Sequence, residues 1–465
     1  MSPHRLLPRG RPEAVGVDAR GVSAFLDQLA RRHIELHTMM LVRHGRVCAE
    51  GAWYPHRLDH APLLYSLSKT FVSAAAGIVV ADGAFGYDDR LVDLFADVVE
   101  DAGPVASRIR VRDCLAMATG HTTDVWPGDK LAAMPGRKPW RAWLATEPPG
   151  EPGVTFCYNQ IATWTLAEIV RHATGMTVLE LLRERVFGPL GIGHASWDTD
   201  QRGRILGCSG LHLAPESIAA FFQLLLDEGV HDGEQLLPAE WITRYRQRQV
   251  ETAPVKTDPD WAQGYGWQVW LDRHGGHRGD GALGQFGLLM PAHDALLVTT
   301  ARTDSMQGVL EAAWDHLLPA FDAPASAADT DALTARLGRA SLRTVGGERG
   351  GFVHLSFENR RNRWRLIDAP EGWTLRWIDA FGGDNTLTVG HKSWEIGAMR
   401  WGKRTLRVAA SGAWVEWGHW VGHMVALDAP HALLVRLRDD GSGKIEWVGE
   451  KPLGTGTWPS LAVER

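Results

Sequence analysis

The sequence predicts two domains. The first is of mixed α/β (α+β) class, a sheet flanked by helices with a separate all-helical lobe; the second is all-β. Three observations carry this prediction. Strand-like alternation brackets a long helical stretch, with a hairpin before residue 52 and consecutive strands after 264. A small-polar segment follows at 321–335, beyond which a short helix is expected and then short strands between Gly, Asn and Asp turns, at roughly the spacing of an all-β sandwich or barrel. Composition shifts at the same place, since nearly half of the 21 tryptophans lie after residue 360. The expected boundaries are 1–320, a linker at 321–335, and 336–465. A chain of 465 residues exceeds one ordinary domain.

Taken in order, Val17 to Arg32 reads as an amphipathic helix with Val22, Phe25, Leu26 and Leu29 on one face. Residues 38–43 and 46–51 form a hairpin about His44-Gly45. An apolar, small-residue helix follows Tyr65-Ser66-Leu67-Ser68-Lys69-Thr70 and ends at Asp82-Gly83. The chain is then mostly helical to about 230, with Pro/Gly-rich loops at 127–136 and 148–153. Strands are expected at 265–271, 285–290 and 295–300, and a closing helix at 308–318. In the second domain, strands are expected at 352–357, 363–367 and 405–410.

A hydrophobic fraction of 45%, a charged fraction of 22% and a net charge of −6 describe a globular chain able to bury a large core. No long basic run is present, which argues against nucleic acid or an anionic membrane as partner. The N-terminus has no signal-like apolar stretch, and no apolar run is long enough for a membrane span. Cys48, Cys114, Cys157 and Cys208 are widely spaced and form no metal-type pair. They read as buried thiols in a reducing compartment, so a cytoplasmic location is expected.

The chemistry points to Ser66 and Lys69. Residues at i and i+3 share a helix face, so the hydroxyl and the amine can meet. Burial penalises a charged lysine, lowers its pKa and turns it into a base for the serine; arginine could not serve, because it stays protonated. The chain is rich in arginine and poor in lysine, which makes a lysine heading an apolar helix conspicuous. By itself the pair also fits an N-cap serine beside a lysine that reaches the surface. Ser68 competes both as N-cap and as nucleophile.

Two further constellations decide the reading. Tyr158-Asn159-Gln160 precedes a helix that ends before Thr174-Gly175, and Pro189-Leu190-Gly191-Ile192 follows. Gly279-Asp280-Gly281-Ala282-Leu283-Gly284 lies on a glycine-rich strand suited to close backbone approach. In this order the motifs resemble class C serine β-lactamases and their relatives among penicillin-binding proteins, esterases and D-amino-acid peptidases, over roughly residues 10–320. The resemblance implies that Ser66 is the acylated nucleophile and Lys69 its partner base. It implies that Tyr158 is a second base and proton shuttle whose phenolate the ammonium favours, and that the backbone amides of Ser66 and Ala282 form an oxyanion hole. Gln160, Asp280, Gly281 and Ala282 would meet the substrate. Similar family members carry a lipocalin-like β-domain at the C-terminus.

The chain departs from the family pattern at two places. Gln160 stands where the lactamases have asparagine, and Gly279-Asp280-Gly281 where they have Lys-Thr-Gly. The cation that helps hold a β-lactam carboxylate is missing. This predicts poor β-lactamase activity and favours a small ester or amide without that carboxylate, cationic substrates among them. No cofactor is expected. A metal hydrolase is the competing enzymatic class, because His33/His37, His56/His60 and His419/His423 have i,i+4 spacing, yet none has the His-Glu-x-x-His form. The non-enzymatic alternative is a binding or regulatory protein that kept the fold and lost turnover. Trp414, Trp417 and Trp420 read either as a stacking platform or as core residues of the second domain.

Overall fold

A computed structural model describes residues 5–96, 102–124, 138–200, 202–350, 354–358, 363–378, 384–401, 404–416, 418–438 and 442–449. Its centre is a six-stranded antiparallel sheet. The elements around it are α1 (Ala19–Arg31), β1 (Glu35–Arg43), β2 (Arg46–Ala52), α2 (Ser68–Ala81), α3 (Gln160–Thr174), α4 (Pro215–Leu226), β3 (Trp270–Leu271), β4 (His277–Gly281), β5 (Gln285–Met290), β6 (Ala295–Arg302), α5 (Met306–Ala312) and α6 (Ala327–Leu337). The strand order is β2-β1-β6-β5-β4-β3, which pairs the N-terminal hairpin through β1 with β6, so that Arg43 lies opposite Ala295.

β1 is buried along nearly its whole length because both faces of the sheet are covered. Met40 and Val42 join one core with α2, α3 and α4, whereas Met39 and Leu41 join another with α1, α5 and α6. Helix α2 is buried on every side from Ser68 to Val79, as its composition of small and apolar residues requires. The glycine-rich strand β4 packs directly on it. A Cβ at Gly279 would stand 2.6 Å from Leu67 Cδ1 and Thr70 Oγ1, so only glycine permits this approach.

Three expectations need correction. The strand at 265–271 shrinks to Trp270–Leu271, because Gln268 takes a left-handed φ of 61° and its backbone and side chain bond inward to Thr70, Thr163 and Leu115 instead of to a neighbouring strand. The stretch 321–335, read as a linker, folds from Ala327 onward into α6; Ser326 accepts from the Asp329 N–H as its cap, and Leu333 and Leu337 are buried. The closing helix begins at Met306 and widens at Ala313–Leu317. The loop at 127–136 lies outside the described residues.

The C-terminal region is one curled nine-stranded sheet, a half-barrel and not a sandwich. Its strands are β7 (His354–Glu358), β8 (Arg363–Ala369), β9 (Gly372–Ile378), β10 (Asp384–Gly390), β11 (Glu395–Trp401), β12 (Arg404–Glu416), β13 (His419–Ala426), β14 (Ala432–Arg438) and β15 (Gly443–Trp447). The order is β7-β8-β9-β10-β12-β13-β14-β15, with β11 also paired to β12. Five of its tryptophans share one apolar core, in which Trp364 stacks on Trp377 at 4.7 Å and Trp373 meets Trp420 edge-on at 5.7 Å, while Trp394 is buried in a second, smaller cluster. Trp414 and Trp420 are therefore core residues, and Trp417 lies outside the described residues.

Candidate active site

The nucleophile candidate sits at a strained entry to α2. Tyr65–Leu67 form a 3-10 turn, and Tyr65 itself has a φ of 50°, which a non-glycine residue rarely adopts. The turn leaves Ser66 half-buried at the edge of a cleft of about 380 Å³. Ser68, the competing serine, is fully buried, and its Oγ accepts the Leu211 N–H at 3.0 Å. Of the two, only Ser66 faces the cleft.

Lys69 is 1% exposed. Its Nζ donates to Ser66 Oγ at 2.9 Å, to Gln160 Oε1 at 2.7 Å and to the Cys208 carbonyl at 2.6 Å. Burial brings its pKa down to about 8, against the opposing pull of Cys208, Asp124 and Asp280. A population of free amine therefore exists near neutrality, 2.9 Å from the hydroxyl it would deprotonate. The sequence departure at Gln160 has a simple consequence, because the longer arm still brings an amide oxygen onto the lysine.

Tyr158 lies just before α3, which Asn159 caps by accepting from the Ile161 N–H at 3.2 Å. Its ring is stacked against Trp270 at 5.6 Å, and Lys69 Nζ stands 4.8 Å over its face. The expected phenolate is not favoured. Burial pushes the hydroxyl well above its ordinary value and nearby Asp280 adds to this, while a hydrogen bond with Ser66 works the other way. The neutral phenol is the resting form.

The third motif ends β4 and turns into β5 through Ala282, Leu283 and Gly284. Gly281 packs against the Leu64 carbonyl, and Ala282 lines the cleft together with Ser66. Asp280 is buried and accepts from Arg278 Nε at 3.2 Å. Arg278 is fully buried, also pairs with Asp272, and lies 4.3 Å over Trp261. Burial pushes Asp280 upward and Asp272 up to about 7. The acid of the third motif is thus held by an internal arginine.

Lys256, Asp258, Trp261, Trp270 and residues 304–307 also line the cleft. Sequence reading missed them because they come from loops and strand ends far apart in the chain and carry no motif of their own. The Cys208 carbonyl was missed for a different reason: a backbone acceptor has no residue-type signature. His121 is buried, its Nδ1 within 3.0 Å of Thr119 Oγ1 and its ring lying against Trp143. The i,i+4 histidine spacings are not realised on helices, since His37 lies in β1, His56 and His60 in a loop, and His419 and His423 in β13. Among the described residues no group of three or more His, Cys, Asp or Glu is placed to hold a metal ion, and no helix is long and apolar enough to cross a membrane.

Comparisons with known proteins bear on the family and the fold. A family model described as beta-lactamase matches residues 22–320. The structure of an octameric penicillin-binding protein homologue from Pyrococcus abyssi is similar at a TM-score of 0.52 and 13% identity, covering 93% of this chain and 98% of that one. A penicillin-binding protein homologue from Caulobacter crescentus is similar at a TM-score of 0.51 and 14% identity, over 65% of this chain and 99% of that one. EstCE1, a hydrolase with promiscuous acyltransferase activity, gives a TM-score of 0.52 at 16% identity, over 64% and 98%. At these identities the likeness is one of fold. No curated protein matches the sequence.

Proposed function

The chain belongs to the β-lactamase family of serine hydrolases, and from that premise we propose that it hydrolyses a small ester or amide through an acyl-enzyme on Ser66. The observation that carries the reading is the buried Lys69 amine 2.9 Å from the Ser66 hydroxyl. In the first step Ser66 Oγ attacks the substrate carbonyl and its proton passes to neutral Lys69. The developing oxyanion accepts from the backbone N–H groups of Ser66 and Ala282. Tyr158, neutral and lying between Lys69 and the cleft, relays the proton to the departing alcohol or amine. Water then attacks the acyl carbonyl, the proton returns along the same path, and Ser66 is freed.

The substrate is one without an anchoring carboxylate at the third motif, because Gly279 replaces the lysine there and Arg278 is committed to Asp272 and Asp280. Trp261 and Trp270 offer apolar walls for an acyl or leaving group. Weak β-lactamase activity follows from the same substitution. Four free, buried cysteines fit a reducing, cytoplasmic setting.

The test is hydrolysis of p-nitrophenyl acetate and butyrate by the wild type and Ser66→Ala, each with and without EDTA. Activity that needs Ser66 and ignores EDTA is expected. Absence of turnover in folded wild type would point instead to a protein that binds without catalysing, and chelator-sensitive activity surviving in Ser66→Ala would point to metal chemistry elsewhere.

A further inference from the structure

We propose that the C-terminal half-barrel is part of the catalytic apparatus, and that His431 is a positioning residue that acts through Tyr65 to hold the oxyanion hole in register. The inference rests on the assignment of Ser66 and Ala282 given above.

Tyr65 immediately precedes Ser66, and its Oη shares a hydrogen bond with His431 Nε2 across the domain boundary. Both residues are buried, at 2% and 3% exposure, and their rings meet edge-on at 5.8 Å. Two residues earlier, the Leu63 N–H donates to the Asp428 carbonyl at 2.9 Å. Asp428 lies in the turn between β13 and β14, and its carboxylate is held by Arg407 Nε at 3.0 Å. The chain leading into the nucleophile is thus tied at two points to one turn of the second domain.

The other side of the oxyanion hole is tied to the same place. Leu283, next to Ala282, is buried with Leu63 and Tyr65 in the apolar core of the half-barrel, among Trp364, Trp373 and Trp420, and not in either core of the hydrolase domain. Ala282 itself packs against that core. The residue before one amide donor and the residue after the other therefore rest on a single surface. Tyr65 and Leu283 both have left-handed φ values, 50° and 68°, which persist in non-glycine residues only when the surroundings enforce them. At Leu283 the tight turn from β4 to β5 itself calls for this φ, whereas Tyr65 is held through its hydroxyl by the second domain.

Oxyanion donors work only when preorganised at the position the charge will occupy, and misplacement by about 1 Å costs on the order of 10²-fold in rate. Loss of the Tyr65–His431 bond leaves the Ser66 and Lys69 side chains within reach of each other but lets the backbone amides of Ser66 and Ala282 drift apart. Its effect falls on kcat and not on substrate binding.

The experiment uses the full chain and compares Tyr65→Phe, His431→Phe, the double variant and His431→Gln. The readouts are p-nitrophenyl butyrate kinetics, stoichiometric labelling of Ser66 by a fluorophosphonate, and thermal unfolding. Each single variant should lose about tenfold in kcat with KM changed less than about twofold, and the double variant should lose no more than either single. His431→Gln, which keeps a polar partner, should recover most of the loss. Folded single variants with wild-type kcat, or losses that multiply in the double variant, would overturn the proposal. Should His431→Phe fail to fold, Tyr65→Phe carries the test, since it removes one hydroxyl and keeps the ring. A wild type that is not labelled at Ser66 would overturn the active-site assignment and this inference with it, whereas a labelled wild type with unaffected variants would overturn this inference alone.

Discussion

Gly281 lies so close to Leu64 that a Cβ on it would stand 2.0 Å from the Leu64 carbonyl oxygen. This contact joins the end of β4 to the turn that presents Ser66, and it sets the separation of the two proposed oxyanion donors. Gly281→Ala must push the strand away. The variant should lose about 1–3 kcal/mol of stability through overpacking. It should also lose about 10²-fold in kcat by displacing Ala282. Denaturant unfolding and ester kinetics on the same preparation check both.

Lys69 sets the pH dependence of acylation. With its pKa brought down to about 8, the free amine needed to accept the Ser66 proton grows as pH rises through that value. kcat/KM for p-nitrophenyl acetate should rise toward a plateau with an apparent pKa near 8. Lys69→Arg should be inactive across the range, because a guanidinium does not give up its proton.

The same lysine leaves a mark on stability. Its folded pKa is depressed from 10.5, so between pH 8 and 10.5 the unfolded chain holds the proton more often than the folded one. Stability therefore rises with pH across that window by about 3 kcal/mol from this group. The difference in unfolding free energy between wild type and Lys69→Met should move in favour of wild type by that order between pH 7.5 and pH 10.5. A pH-independent difference would mean that the lysine is not desolvated.

A group of histidines at the domain boundary governs the acid side. His37 stacks on His56 at 3.7 Å, and His423 and His431 approach from the half-barrel. Burial lowers all four, His431 to about 3 and His423 to about 4, while Arg302 opposes their charging as well. Because the folded values lie below the ordinary 6.5, the unfolded state binds more protons between about pH 4 and 6.5. Stability present above pH 6.5 is lost as pH falls, at up to about 1.4 kcal/mol per pH unit for each histidine. Urea unfolding from pH 7 to 4.5 should show this slope, and His423→Gln should make it shallower.

Much of this was legible in the sequence where the signal was local. The run of small apolar residues after Lys69 identified a helix buried on all sides, and the i,i+3 spacing of Ser66 and Lys69 placed their polar atoms in contact. The strand segments of the half-barrel followed from turn residues and alternation. What sequence could not supply was set by tertiary partners. Gln268 belongs to a stretch that alternates like a strand, yet its amide is drawn to Cys114 and Leu115 and the strand is lost. The 321–335 stretch looked like a linker because its large apolar residues are few, yet Leu333, with Leu337 just beyond, is buried in the core that holds α1, and Arg336 bonds Ser23 and Asp27 of that helix. The protonation of Tyr158 depended on burial and on Asp280, which no spacing reveals. The bond from Tyr65 to His431 joins residues 366 apart in sequence.

The most direct measurement is trapping of the acyl-enzyme. Wild type mixed with excess p-nitrophenyl butyrate and quenched in acid should carry one butyryl group, and peptide mass spectrometry should place it on Ser66. Ser66→Ala should carry none, while Ser68→Ala, if folded, should still be acylated at Ser66. A butyryl group on Ser68 or elsewhere, or steady turnover by Ser66→Ala, would contradict the assignment of Ser66 as nucleophile.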